Sequence, residues 1–262
     1  MTEVPCLSPS IAHTLISRSP LHAWQQHRLL GGIAKEATAS MTIGKTLEPL
    51  IMGASLSNFT IIDADDFRGK QAKLDRDAAL AANRVPVLAS KWSEVQTQAA
   101  NMREAIIKAG FAFMGESQVT KLWTSNGVAC KGILDHELPE TILDLKCVDD
   151  ASPDSVRRKM TNYGYHIQGV AYTEAKETLQ PELKGRVKMI FLFVETEPPY
   201  AVNPVTMAGT MQELGARQWA KAVKIWGECL ASNHWPGYQP TRVDALPWQL
   251  AAAEDTNPEV KE

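Results

Sequence analysis

The stretch Thr141-Ile142-Leu143-Asp144-Leu145-Lys146-Cys147-Val148 constrains this chain more than any other. It is apolar and β-branched and reads as a strand near the middle of a sheet. Period-2 alternation sends Asp144 and Lys146 to one face and Leu143, Leu145 and Cys147 to the other. An unpaired charge in such a strand is expensive, so the fold has to supply this acid and this base with partners. A cross-face ion pair on a solvated sheet is the plain alternative.

The neighbouring segments supply more acid. Val128 to His136 reads as the preceding strand, with Asp135 at its end, and the short turn Glu137 to Glu140 folds Asp135 back beside Asp144. Gly115 to Trp123 reads as a third strand. Two converging carboxylates and a lysine suit phosphodiester cleavage. Hard oxygen ligands hold Mg²⁺, with Mn²⁺ as a substitute, and the metal polarises the phosphate and acidifies a bound water. Lys146 is placed to orient that water and offset the growing charge. Carboxylates kept ionised by a metal predict loss of activity in acid and in chelator.

Around this centre the pattern is helical. Ser8-Pro9-Ser10 and Ser19-Pro20-Leu21 are helix starts, each with a serine to cap free amides and a proline at the first helical position. Met41 to Met52 reads as a buried helix carrying Glu48, and Ser90 to Ala109 as an amphipathic helix. Asp63 to Ala89 shows no pattern and predicts loops and short helices. Ser152-Pro153-Asp154 opens a long helix to about Thr178, Arg186 to Val194 is an apolar strand, and Val205 to Leu230 is helical. The reading is mixed α/β, one nuclease domain over 1–250: helices over 7–109, a central mixed sheet flanked by helices over 110–250, and a disordered tail over 251–262.

Length and composition narrow the class. The 262 residues can bury a substantial core. No run approaches the roughly 20 apolar residues that span a bilayer, and the N-terminus has no basic region followed by an apolar run, so we expect a cytoplasmic protein without membrane partners. Four cysteines without a CxxC pair argue against structural zinc and against a disulfide framework. Cys130 and Cys147 alternate away from the acids and read as core thiols. The net charge of −3 means that any contact with DNA has to come from a local basic patch. Arg157, Arg158 and Lys159 are the first candidates, with Arg28 and Lys131 behind them; a solvated basic face is the alternative.

A set of ordered segments then matches a known pattern: Leu7-Ser8-Pro9-Ser10 with Ser19-Pro20, Gly44 to Glu48, Glu116, Gly132-Ile133-Leu134-Asp135, Leu143-Asp144-Leu145-Lys146, Tyr163 to Gln168 with Tyr172, Phe193-Val194-Glu195 with Pro199-Tyr200, and Trp235-Pro236-Gly237-Tyr238. Each is weak alone, but their order resembles the RecB-like branch of the PD-(D/E)XK nucleases, most closely the exonuclease VIII (RecE) type of prophages. The resemblance implies a restriction-endonuclease-like core. It implies Asp135 and Asp144 as metal ligands, the Leu145 carbonyl as a further one, and Lys146 as the catalytic lysine. Gln168 and Tyr172 match a Q-x-x-x-Y motif whose i, i+4 spacing puts both on one helix face, there to contact DNA, to orient the catalytic strand, or simply to pack. Many relatives carry histidine where this chain has Glu48, which is either an oxygen ligand in its place or an ordinary helix residue. Glu116 either binds a second metal or pairs with a basic side chain. His166 sits near the site helix, where a packing role is preferred.

The same resemblance implies 5′ to 3′ degradation of linear double-stranded DNA, a ring-shaped homo-oligomer and a strand-annealing partner in recombination. A structure-specific or guide-associated nuclease of the same superfamily and a non-catalytic DNA-binding module are the rival readings.

Overall fold

The computed structural model describes residues 4–33, 39–53, 56–82 and 84–254. Its centre is a five-stranded sheet of order β3-β4-β5-β6-β7, where β3 is Glu116–Ser125, β4 Val128–Glu137, β5 Thr141–Val148, β6 Lys188–Glu195 and β7 Val202–Val205. All neighbours are antiparallel except β5 and β6, which run parallel from Thr141↔Lys188 to Val148↔Glu195. A parallel pair needs a crossover, and two helices provide it: α6 (Pro153–Asn162) and α7 (Tyr165–Leu179). The mixed α/β class and helix-flanked sheet expected from the sequence are both present.

The alternation in β5 decides which helices lie on which face. Leu143 and Leu145, with Leu192 and Val194 of β6, pack on α3 (Ala39–Ile51) and α5 (Ala89–Lys108) through Leu47, Ile51, Met102 and Ile106. Ile142 and Val148, with Phe191 and Phe193, pack on the other face against Val156 and Met160 of α6 and Tyr172 of α7. A third cluster joins α1 (Pro9–Ser17), α7 and α8 (Gly209–Ser232) over Trp123 and Cys130. Within it the indole N–H groups of Trp123 and Trp219 donate to opposite oxygens of Glu174, each at 3.0 Å. One carboxylate thereby ties β3, α7 and α8 together, and the buried indoles do not lose their hydrogen bonds.

Several boundaries differ from expectation. Ser8 and Ser19 do cap α1 and α2 (Pro20–Gln26), accepting from Ile11 and His22. The long helix from Ser152 is broken at Tyr163-Gly164: Gly164 has φ +73, and a Cβ there would sit 2.6 Å from the His13 ring. Only glycine accepts both. Within the segment expected to hold loops and short helices lie α4 (Lys70–Ala81) and β2 (Val85–Leu88), the latter parallel to β1 (Phe59–Ile62). α4 buries only Ala72 and Ala79, and Pro86 interrupts the short apolar run of β2. The edge strand β7 precedes α8 and tolerates Pro204 because no strand lies beyond it. The expected tail begins inside a helix, α9 (Pro247–Glu254), and its remainder, 255–262, lies outside the described residues. Among the described residues no helix is long and apolar enough to cross a membrane.

Replacing the almost fully buried Trp219 removes a large core side chain and one of the two indoles on Glu174. Trp219→Ala should cost about 3–5 kcal/mol of unfolding free energy, read as a fall in the denaturant midpoint.

Candidate active site

The site begins where a β ladder stops. β4 and β5 pair only at Glu137↔Ile142 and His136↔Leu143. The same register would next oppose Asp135 and Asp144, but there the strands separate, and the Leu145 N–H that the ladder leaves free donates to Asp135 Oδ2 at 3.0 Å. A side chain has replaced a main-chain acceptor, so the carboxylate is held inside the opening.

Both faces of the sheet contribute to this opening. From α7, Gln168 Nε2 donates to Asp144 Oδ1 at 2.7 Å. From α3, Glu48 is hydrogen-bonded to Asp135 and accepts from Gln118 Nε2 of β3 at 2.8 Å. Lys146 forms an ion pair with Asp144 Oδ2, and its ammonium lies 4.6 Å from the centre of the Tyr165 ring, a cation–π contact. That oxygen has no other partner of hydrogen-bonding geometry.

Burial sets the electrostatics. Asp144 is fully buried, and desolvation, with the Asp135 charge behind it, pushes its carboxyl up to about 7 despite Lys146. Asp135 and Glu48 are likewise raised, first by desolvation; two carboxyls in hydrogen-bond contact must share a proton. Burial disfavours the Lys146 charge, but Asp144 and Asp135 outweigh it and hold the ammonium protonated. Two buried acids and the half-buried Glu48 thus converge around the single ammonium of Lys146. Among the described residues no three His, Cys, Asp or Glu side chains stand as a finished metal cage; here Lys146 occupies one face of Asp144, and Glu48 is bonded to Asp135.

The remaining expected residues separate clearly. Tyr172 is buried against Gly132, where a Cβ would sit 2.6 Å from its ring, and it touches Gln168. Burial pushes its phenol up to about 12. Glu116 is exposed at the head of β3 opposite Glu137, and Gln118 of the same strand reaches Glu48. Leu145 lies against Asp135 through its N–H. His166 is structural, tied to the Met160 carbonyl and to Gln218 at 2.8 Å each. Cys130 and Cys147 are free thiols pushed up to about 12 by burial, as core thiols should be. Of the basic set, Lys159 is engaged by Asp149 at 2.9 Å and Arg157 by Asp154 at 3.5 Å, while Arg158 and Arg28 are exposed. Lys131 is the one that borders the site. It lines a cavity of about 370 Å³ with Ser8, Ser10, Tyr163, Tyr165 and Gln168. A larger groove of about 1080 Å³ runs past Glu177, Lys184 and Gln212 on another side of α7 and holds none of the site acids.

Gln118 and Lys176 escaped the sequence reading. Lys176 continues the i, i+4 stripe of Gln168 and Tyr172 by one more step, the only signal it carried. Its ammonium is 1% exposed and donates to Glu137 Oε1 at 2.8 Å and the Leu138 carbonyl at 2.7 Å, while Glu137 Oε2 meets Lys121 at 2.6 Å. Glu137 lies two residues beyond Asp135, so this pair locks α7 to the strand that carries the site.

A family described as a PDDEXK-like domain of unknown function (DUF3799) matches residues 22–242, most of the chain. The chain belongs to that family. Asp135 and the Asp144-Leu145-Lys146 run fit the letters of the PDDEXK signature, with Leu134 where the signature has proline. No curated protein matches significantly. Among solved structures, a candidate exonuclease from Eubacterium rectale is similar with a TM-score of 0.58 at 12% identity, covering 95% of this chain and 93% of that one. A phage-related exonuclease from Haemophilus somnus gives 0.37 at 12% identity over 87% and 96%, too loose to bear on the fold. The likeness to the first concerns the PDDEXK-like fold alone.

Two outcomes follow from the geometry. Raised carboxyl pKa values mean that the folded chain keeps protons the unfolded chain releases near pH 4, so this contribution to stability is whole below that pH and is lost as Asp144 ionises towards about 7. In chelator the melting temperature should fall between pH 5 and pH 8, and Asp144→Asn should flatten the fall. Lys176→Met should cost about 3 kcal/mol by leaving Glu137 half-paired, measured by urea titration.

Proposed function

We propose that this protein is a metal-dependent deoxyribonuclease that degrades linear double-stranded DNA from its ends. The observation that carries the reading is the meeting of Asp135, Asp144 and Glu48 beside Lys146 in the opened β4–β5 ladder. An all-oxygen acid set suits Mg²⁺ or Mn²⁺ and suits zinc or copper poorly. Asp135 and Asp144 would hold the ion, with Glu48 as the third carboxylate and the Leu145 carbonyl as a further oxygen. A bound divalent cation supplies a polarised phosphate and a more acidic water at that point.

The chain's own groups do the rest. Gln168 fixes the orientation of the Asp144 carboxylate through its amide. Lys146, held by Asp144 and the Tyr165 face, brings a permanent positive charge to the place where the attacked phosphate gains negative charge. The cavity beside Gln168 offers hydroxyls from Ser8 and Ser10, the Lys131 ammonium and the Tyr163 ring to an incoming strand. The exposed Arg158 is available for more distant phosphates.

Exonucleolytic action, 5′ to 3′ polarity, a ring-shaped homo-oligomer, a single-strand annealing partner and a place in recombination in the cytoplasm rest on the resemblance to the exonuclease VIII type. A ring fits the net charge of −3, because basic groups need line only its channel.

Incubation of end-labelled linear duplex and a closed circle with Mg²⁺ tests the reading. Nucleotide release from the linear substrate alone, lost in chelator and in Asp144→Ala, is the expected result; Lys146→Ala should lower the rate by at least about 10²-fold. Cleavage of the circle would point to a structure-specific nuclease, and binding without cleavage to a non-catalytic module.

A further inference from the structure

β3 carries a backbone irregularity directly beside the acids. Gln118 has φ +56, in the left-handed region that favours glycine, although its neighbours Ser117 and Val119 pair regularly with His136 and Leu134. That register sets Gln118 across from Asp135. A non-glycine residue keeps such a conformation only when the surroundings demand it, and such outliers gather at functional sites. Here the demand is visible: the Gln118 side chain reaches Glu48, its Nε2 donating to Oε1 at 2.8 Å, and Glu48 in turn is bonded to Asp135.

The donor's chemistry matters as much as its reach. α3 approaches the sheet from the face opposite α7, and Glu48 belongs to a helix whose Leu47 and Ile51 pack in the same apolar cluster as Leu143 and Leu145 of β5. Left alone, its carboxylate would have several rotamers, most of them pointing to water. An amide fixes one oxygen and leaves the carboxylate its whole negative charge. A lysine or arginine at 118 would hold Glu48 equally well but neutralise it, and so remove the reason for a third acid at this point.

We propose that Gln118 is a positioning residue that aims Glu48 at Asp135 and thereby completes the cation-binding carboxylate set. This inference rests on the metal-site reading of the acids. It predicts that metal affinity depends on the amide at 118 and not on the shape of the β3 backbone.

Titration calorimetry with Mn²⁺ on the full chain tests it with two substitutions that act oppositely on the backbone. Gln118→Gly relieves the left-handed conformation and should melt at or above the wild-type temperature; Gln118→Leu keeps the strain and should melt lower. Both remove the amide, and both should weaken Mn²⁺ binding by roughly 10-fold or more, the usual effect of losing a residue that orients a ligand. In a Glu48→Ala background, Gln118→Leu should reduce the Mn²⁺-induced rise in melting temperature no further. Wild-type affinity in either variant, or the same additional loss with and without Glu48, would overturn the role of Gln118. A wild-type chain that binds no Mn²⁺ would instead overturn the metal reading on which this inference rests.

Discussion

The structure depends on one exchange of hydrogen-bond partners. Where β4 and β5 part, the Leu145 N–H gives up a main-chain acceptor and takes a carboxylate oxygen of Asp135. Without that substitution the sheet would either close, burying two facing aspartates against each other, or leave an amide unsatisfied in its interior. Neither is tolerable at these degrees of burial. The opening is therefore a defined feature of the sheet, and the acids are its lining.

Holding a sheet open requires support from both sides. Apolar contacts of α3 and α5 hold one face, and the Phe191–Phe193–Tyr172 cluster holds the other. Polar ties then set the register of α7: Glu174 on two indoles, Lys176 on Glu137, Gln168 on Asp144. All lie on a single helix within little more than two turns, so a small rotation of α7 would misplace them together. The buried ammonium of Lys176 illustrates the principle that a desolvated charge makes geometry specific more than it makes a fold stable.

How much of this was legible in the sequence varies with the kind of signal. The alternation of β5 foretold which side of Leu145 faces the acids, and serine–proline pairs marked α1 and α2, because both signals are local and repeat over a few residues. The break at Gly164 depends on the His13 ring from a distant helix, so a long helix was the natural reading of that segment. α4 stayed hidden because it buries only two alanines, and β2 because Pro86 interrupts its short apolar run. Gln118 was invisible for a different reason: its role arises from a backbone torsion that no residue type announces, and Glu116, two positions away, carried the more suggestive side chain. Glu48 was recognisable as a departure from a pattern, but its bond to Asp135 is a tertiary fact.

The acids and their supports come from residue 48 on α3 through residue 176 on α7, entering the sheet from opposite sides. No contiguous fragment shorter than about that span contains the set, and a chain that has formed the sheet but not docked α3 still lacks one acid, leaving Gln118 on β3 without its partner. On the proposed nuclease reading, this ties chemical competence to the docking of α3 on the sheet. A nascent or partly unfolded copy would be chemically inert towards the cell's own genome.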